Sequence, residues 1–142
     1  MLTASRHLAL HGAIVLLFGL LLGAPYARAI KRGAPAHIVN SWRVAHQSLP
    51  MGAILMFAVA ALLPGFAVSP LVAWGITLAL IVSAYGFCVS TPLAALTGER
   101  GLASGARGLA SLVYIGNMVG AVASLVAAGG LVYATAATLW QD

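Results

Sequence analysis

The chain has 142 residues, 62% hydrophobic and only 6% charged, with seven Lys and Arg against two acidic residues for a net charge of +5. Its mean hydropathy is +1.04. No soluble domain of this length could cover so much apolar surface, so the composition indicates an integral membrane protein. The cations fall between apolar runs, where they act as orientation signals and lipid-headgroup contacts and make no case for nucleic acid.

Four apolar runs organise the chain, at about 8–26, 44–63, 71–93 and 109–139. They predict an all-α, integral membrane four-helix bundle forming a single domain over 1–142. The first run ends at Ala27-Arg28-Ala29, which has the small-x-small form of a signal-peptide cleavage site. Arg28, Lys31 and Arg32 cluster at its end, however, as they do at a retained span, and only Arg6 precedes the core. Between the second and third runs, Pro64-Gly65-Phe66-Ala67-Val68-Ser69-Pro70 reads as a tight turn, which makes neighbouring helices antiparallel. The fourth run is longer than the roughly 20 residues that span a bilayer, so it tilts, kinks or projects beyond it.

Cation placement predicts orientation. Arg28, Lys31, Arg32 and Arg43 are assigned to the first loop and Arg100 and Arg107 to the third, whereas Arg6 stands alone on the opposite side. Both longer loops are therefore expected in the cytoplasm and both termini outside, in a bacterial inner membrane. Gly19 with Gly23, and Gly116 with Gly120, form Gly-x-x-x-Gly steps that let backbones approach closely, more readily read as intramolecular packing than as a dimer contact.

His46 is the residue of greatest chemical interest. It follows a polar lead-in, Trp42-Arg43-Val44-Ala45, and the residues after it through Pro64 carry no charge. An imidazole entering hydrocarbon needs a partner, and both metal ligation and a hydrogen bond to a neighbouring helix would serve. At about 1.5 Å per residue, His11 and His46 should be separated by roughly 20 Å in depth and cannot clamp one metal. The same depth reading gathers Tyr85, Cys88, Tyr114 and Asn117 into one polar layer with His46, a candidate site. Taken singly, the tyrosines also suit an interfacial belt and Cys88 a packing role.

Glu99 and Asp142 are the only carboxylates. Paired-carboxylate hydrolysis and a carboxylate proton relay lack their parts, and the sequence shows neither a zinc ligand set nor a phosphate-binding loop. An enzyme built on this chain must borrow its chemistry from a cofactor.

The His11-Gly12 pair, the Trp42-to-His46 run leading to Leu63-Pro64, Gly86-Phe87 and Arg100-Gly101-Leu102 resemble the styrene oxide isomerase family. That resemblance implies a small four-helix membrane enzyme, assembled as a homotrimer, that binds haem b between subunits. It makes His46 the axial ligand of ferric haem, and an aryl epoxide from the bilayer the substrate, converted to an aldehyde. Trp42 and Arg43 would then be cofactor-binding, Arg43 through a propionate or else as a snorkelling anchor. Tyr85, Cys88 and Asn117 would be the catalytic candidates. The family's tyrosine after Gly-Phe is Cys88 here, and its third-span aspartate has no carboxylate counterpart. Two other classes stay open: a haem protein for electron transfer or sensing, with His37 as a second ligand, and a cofactor-free accessory subunit.

Overall fold

A computed structural model describes residues 2–99 and 107–140. Arg100, Gly101, Leu102 and Asp142, used above for orientation, resemblance and the carboxylate inventory, lie outside them. Helices α1 (Leu2–Leu21) and α2 (Gly23–Lys31) follow each other almost without a break and form one span. Then come α3 (Ala36–Leu62), a 3-10 turn (Leu63–Gly65), α4 (Pro70–Thr97) and α5 (Leu109–Leu139). Four segments, Leu2–Lys31, Ala36–Gly65, Pro70–Thr97 and Leu109–Leu139, are long and apolar enough to cross a membrane, as the four-helix expectation requires.

The helices overrun the apolar runs that announce them. The expected first loop, 27–43, shrinks to residues 32–35, because α2 carries Arg28 and Lys31 and α3 carries Arg43. Hydropathy marks where lipid ends, whereas helix formation continues through Arg and Lys, which are good helix formers once solvated. A 30-residue span is about 45 Å long and outreaches a hydrocarbon core of about 30 Å.

The chain direction alternates. Ala67 N–H donates to Thr138 Oγ1 at 2.9 Å, which fixes the α3–α4 turn beside the end of α5. Gly98, in the left-handed region at φ 74°, closes α4 against Ile38 and His37 at the start of α3. Ser69 caps α4 by accepting from Val72 N–H, with Pro70 as its first residue.

Two helix pairs make the closest contacts, α1 with α3 and α4 with α5. Glycine explains both. At the α4–α5 crossing, a Cβ on Gly86 would lie 2.9 Å from the Gly116 carbonyl and 3.0 Å from the Gly120 nitrogen. Ser83 Oγ donates to the Gly120 carbonyl at 2.8 Å across the same crossing. At the α1–α3 crossing, Gly19 receives Leu49 and Pro50. Both Gly-x-x-x-Gly steps therefore serve packing within one chain. The apolar core runs through Leu8, Val15, Ala45, Leu49, Met56 and Leu63 between α1 and α3, continued by Ala73, Ile76 and Leu80 of α4. Helix α5 rests chiefly on α4, which leaves an open groove between α3 and α5.

Candidate functional site

His46 lies one turn after buried Trp42 and three residues before buried Leu49, on the stripe of α3 that faces the first span. Its Nδ1 is 2.9 Å from the Gly19 carbonyl oxygen. A carbonyl can only accept, so Nδ1 carries a proton, and in the neutral ring the lone pair is on Nε2. Gly23, one turn beyond Gly19, lets the ring lie against the helix: a Cβ there would sit 3.1 Å from Cε1. Tyr26 adds a tilted ring at 6.1 Å between centroids. Pro50, four residues on, has no N–H for the His46 carbonyl, so the ladder is interrupted beside the imidazole.

His46 is deeper than the sequence suggests. Gly19 stands about 18 Å short of the Lys31 end of the span, which puts the imidazole well inside the hydrocarbon layer. Its separation from His11, measured along the first span to Gly19, is nearer 12 Å than 20 Å, because α3 begins at Ala36 and carries His46 inward by about 15 Å. That distance is still too great for two ligands of one ion.

The expected polar layer divides into separate groups. Tyr85 belongs with His11: its hydroxyl is 3.0 Å from His11 Nδ1, and the rings meet edge to face. His7 joins this cluster, its centroid 6.5 Å from His11 and 5.5 Å from Trp74. Assigning Tyr85 to the His46 layer from the depth of its Cα fails because helical side chains lean toward the N-terminus of their helix. In α4 that direction leads toward His11. Cys88 is half-buried against the core, one turn after Tyr85. Tyr114 is half-buried on α5.

Asn117 lines the groove between α3 and α5. This cavity of about 440 Å³ is walled by Val44, Ser48, Gly52 and Leu55 of α3, Phe87 and Thr91 of α4, and Asn117 and Ser124 of α5. It continues past Val44, Thr91 and Asn117 into a polar cavity of about 420 Å³ that holds His37, Asn40, Ser41 and Glu99. The groove was not legible from hydropathy, although Val44, Ser48, Gly52 and Leu55 recur at helical spacing and mark one face of α3. Val44, Ser48 and Leu55 point away from His46, since two residues of α-helix rotate a side chain by about 200°, whereas Leu49 and Met56, which also line the groove, lie on the His46 side of α3.

Arg43 is exposed on α3, and its guanidinium donates to Asn40 Oδ1. Trp42 is 9% exposed and turns toward the end of α2, where it lines a third cavity with Arg28 and Arg32. Among the described residues, no group of three or more His, Cys, Asp and Glu side chains could hold a metal ion. Any iron here would rest on single side chains plus a ligand frame brought by a cofactor.

The family model described as styrene oxide isomerase matches residues 4–136, nearly the whole chain, and the chain belongs to that family. No curated protein matches it.

Proposed function

We propose that this member of the styrene oxide isomerase family converts a hydrophobic, aryl-type epoxide to an aldehyde, with haem b carried on Nε2 of His46. The observation that carries the reading is the His46 Nδ1–Gly19 carbonyl bond at 2.9 Å. A backbone carbonyl on one ring nitrogen is the arrangement that fixes the tautomer of an iron-ligating histidine, raises its basicity and leaves the other nitrogen available. When bound there, ferric haem would supply a Lewis acid for the epoxide oxygen.

The chain's own residues do the rest. Gly19 and Gly23 hold the imidazole against the first span and limit its rotation. Arg43, three residues before His46, offers a guanidinium for a propionate. The groove between α3 and α5 is apolar along Gly52, Leu55 and Phe87, with Ser48, Thr91, Asn117 and Ser124 as its polar points. It suits an apolar substrate arriving from lipid, and its apolar stretch would limit the water that otherwise turns an opened epoxide into a diol. Asn117, which lines the groove, would orient substrate there. Tyr85, engaged with His11, supports the packing of α1 on α4 instead.

His46 does not line the groove, so one copy does not bring the two to one point. A homo-oligomer, the trimer implied by the resemblance, supplies the missing wall from a second copy.

The test is purified protein with styrene oxide and related epoxides, with product identification and a visible spectrum. Aldehyde formation with a ferric Soret band is the expected result, and dithionite should abolish turnover. A preparation with full haem and no aldehyde from any epoxide would overturn the isomerase reading. Aldehyde formation insensitive to reduction would overturn the Lewis-acid reading.

A further inference from the structure

A third cavity, of about 330 Å³, lies between α2 and the end of α4, away from both His46 and the groove. Arg28 and Arg32, one helical turn apart, both line it. Its other walls are Pro25, Ala29, Ala34, Trp42 and Leu96. Among the described residues neither arginine has a carboxylate partner; Glu99 belongs to the polar cavity beyond α3. Trp42 is 9% exposed, with its indole against this pocket. Arg28, Arg32 and Trp42 thus border one pocket whose wall is mainly apolar.

The depth of the pocket decides what such a donor set would meet. Arg28 and Arg32 stand at the end of a span about 45 Å long, where it leaves the hydrocarbon for the headgroup layer. Basic pockets between membrane helices at this level suit phosphate headgroups, and arginine's planar fork matches a phosphate bidentately. The pocket faces away from the imidazole. His46 touches Gly19 and Gly23, with Tyr26 beside it, whereas the pocket uses Pro25, Arg28, Ala29 and Arg32, a different face of the same helix. We infer that this pocket is a site for an anionic phospholipid, its phosphodiester held by Arg28, Arg32 and the Trp42 indole N–H, and its acyl chain running along Pro25 and Leu96. The site is independent of the haem reading.

Trp42 provides the assay. In a Trp74→Phe/Trp140→Phe background it is the sole tryptophan, and the protein is placed in phosphatidylcholine nanodiscs. These contain equal mole fractions of either phosphatidylglycerol or phosphatidylcholine with brominated acyl chains. Brominated phosphatidylglycerol should quench Trp42 more strongly than brominated phosphatidylcholine. The preference should fall about fivefold for each guanidinium removed, and Arg28→Gln/Arg32→Gln should abolish it while circular dichroism stays helical. Equal quenching by the two lipids in the parent, or an unchanged preference in the double variant, would overturn the site. Relief of quenching by added inorganic phosphate at constant ionic strength would show a free-phosphate site and reject the lipid. Loss of the Soret band in the double variant, with the lipid preference intact, would assign the arginines to a cofactor carboxylate and likewise reject it.

Discussion

Substituting Gly23 by alanine tests whether the first span positions His46. The new Cβ would lie 3.1 Å from Cε1, 3.4 Å from Nδ1 and 3.5 Å from Nε2 of the imidazole. Ordinary carbon contacts begin near 3.5–4.0 Å, so the ring or the helix must give by about 0.5 Å. The push is directed away from the first span, and Gly19 lies on that same span, so the Nδ1–carbonyl distance lengthens from 2.9 Å toward about 3.4 Å. That exceeds the usual limit for an N–H donor. Loss of such an outer partner weakens metal-site affinity about 10- to 100-fold. Stability should change less, because overpacking costs about 1–3 kcal/mol and alanine's better helix propensity returns about 1 kcal/mol. The expected signature is a helical protein whose haem titration midpoint, followed by Soret absorbance, moves by one to two orders of magnitude. Gly75→Ala, where nothing lies within 4 Å of the added Cβ, is the control and should titrate like the parent. Parental haem affinity in Gly23→Ala would refute the argument that this contact sets the ligand.

His46→Ala should lose haem while circular dichroism stays helical, whereas His11→Ala should keep haem and lose only the contact with Tyr85; full haem occupancy in purified His46→Ala would remove His46 from the cofactor site. Gly86→Ala should destabilise the α4–α5 pair by about 1–3 kcal/mol or more, read as earlier unfolding in a denaturing-detergent titration, because its Cβ meets backbone of Gly116 and Gly120 that cannot rotate away. An unchanged transition would mean that the two helices separate at little cost. The orientation expected from cation placement, both termini outside, requires that cysteines placed at 33 to 35 in a Cys88→Ser background resist an impermeant thiol reagent in intact cells while one at Thr3 reacts, and the reverse pattern would invert the topology.

The class and the number of spans were legible because bilayer thickness imposes them on composition, and little else competes at 62% hydrophobic residues. The helix ends were not. Arg28, Lys31 and Arg43 end the hydrophobic signal but continue the helix, so a loop assigned to 27–43 occupies only 32–35. The glycine steps were legible as contact surfaces, while their partners were not, because spacing shows which face is small but not what fills it. Tyr85 shows the same limit from another side. Its Cα depth was read from residue count, but its hydroxyl lies a side chain's length toward the helix N-terminus, and it pairs with His11.

The position of His46 bears on how a chain with so few carboxylates would host the proposed haem. An imidazole deep in hydrocarbon is costly unless each ring nitrogen is either satisfied or left neutral. The Gly19 carbonyl accepts from Nδ1–H and so directs the lone pair of the neutral ring to Nε2, the atom an iron would use. That carbonyl can serve an outside donor because the helical ladder is interrupted at Leu22, where α1 gives way to α2. It is within reach because Gly19 has no side chain: a Cβ there would lie 2.6 Å from Pro50 and 2.9 Å from Leu49 and would hold α3 away. The glycine that permits the helix crossing and the carbonyl that selects the histidine tautomer are therefore one residue. Gly19→Ala should consequently lower both bundle stability and haem affinity, whereas Gly23→Ala should act mainly on the second. If Gly19→Ala unfolds the bundle more readily yet binds haem with parental affinity at low denaturant, the coupling between crossing and tautomer fails.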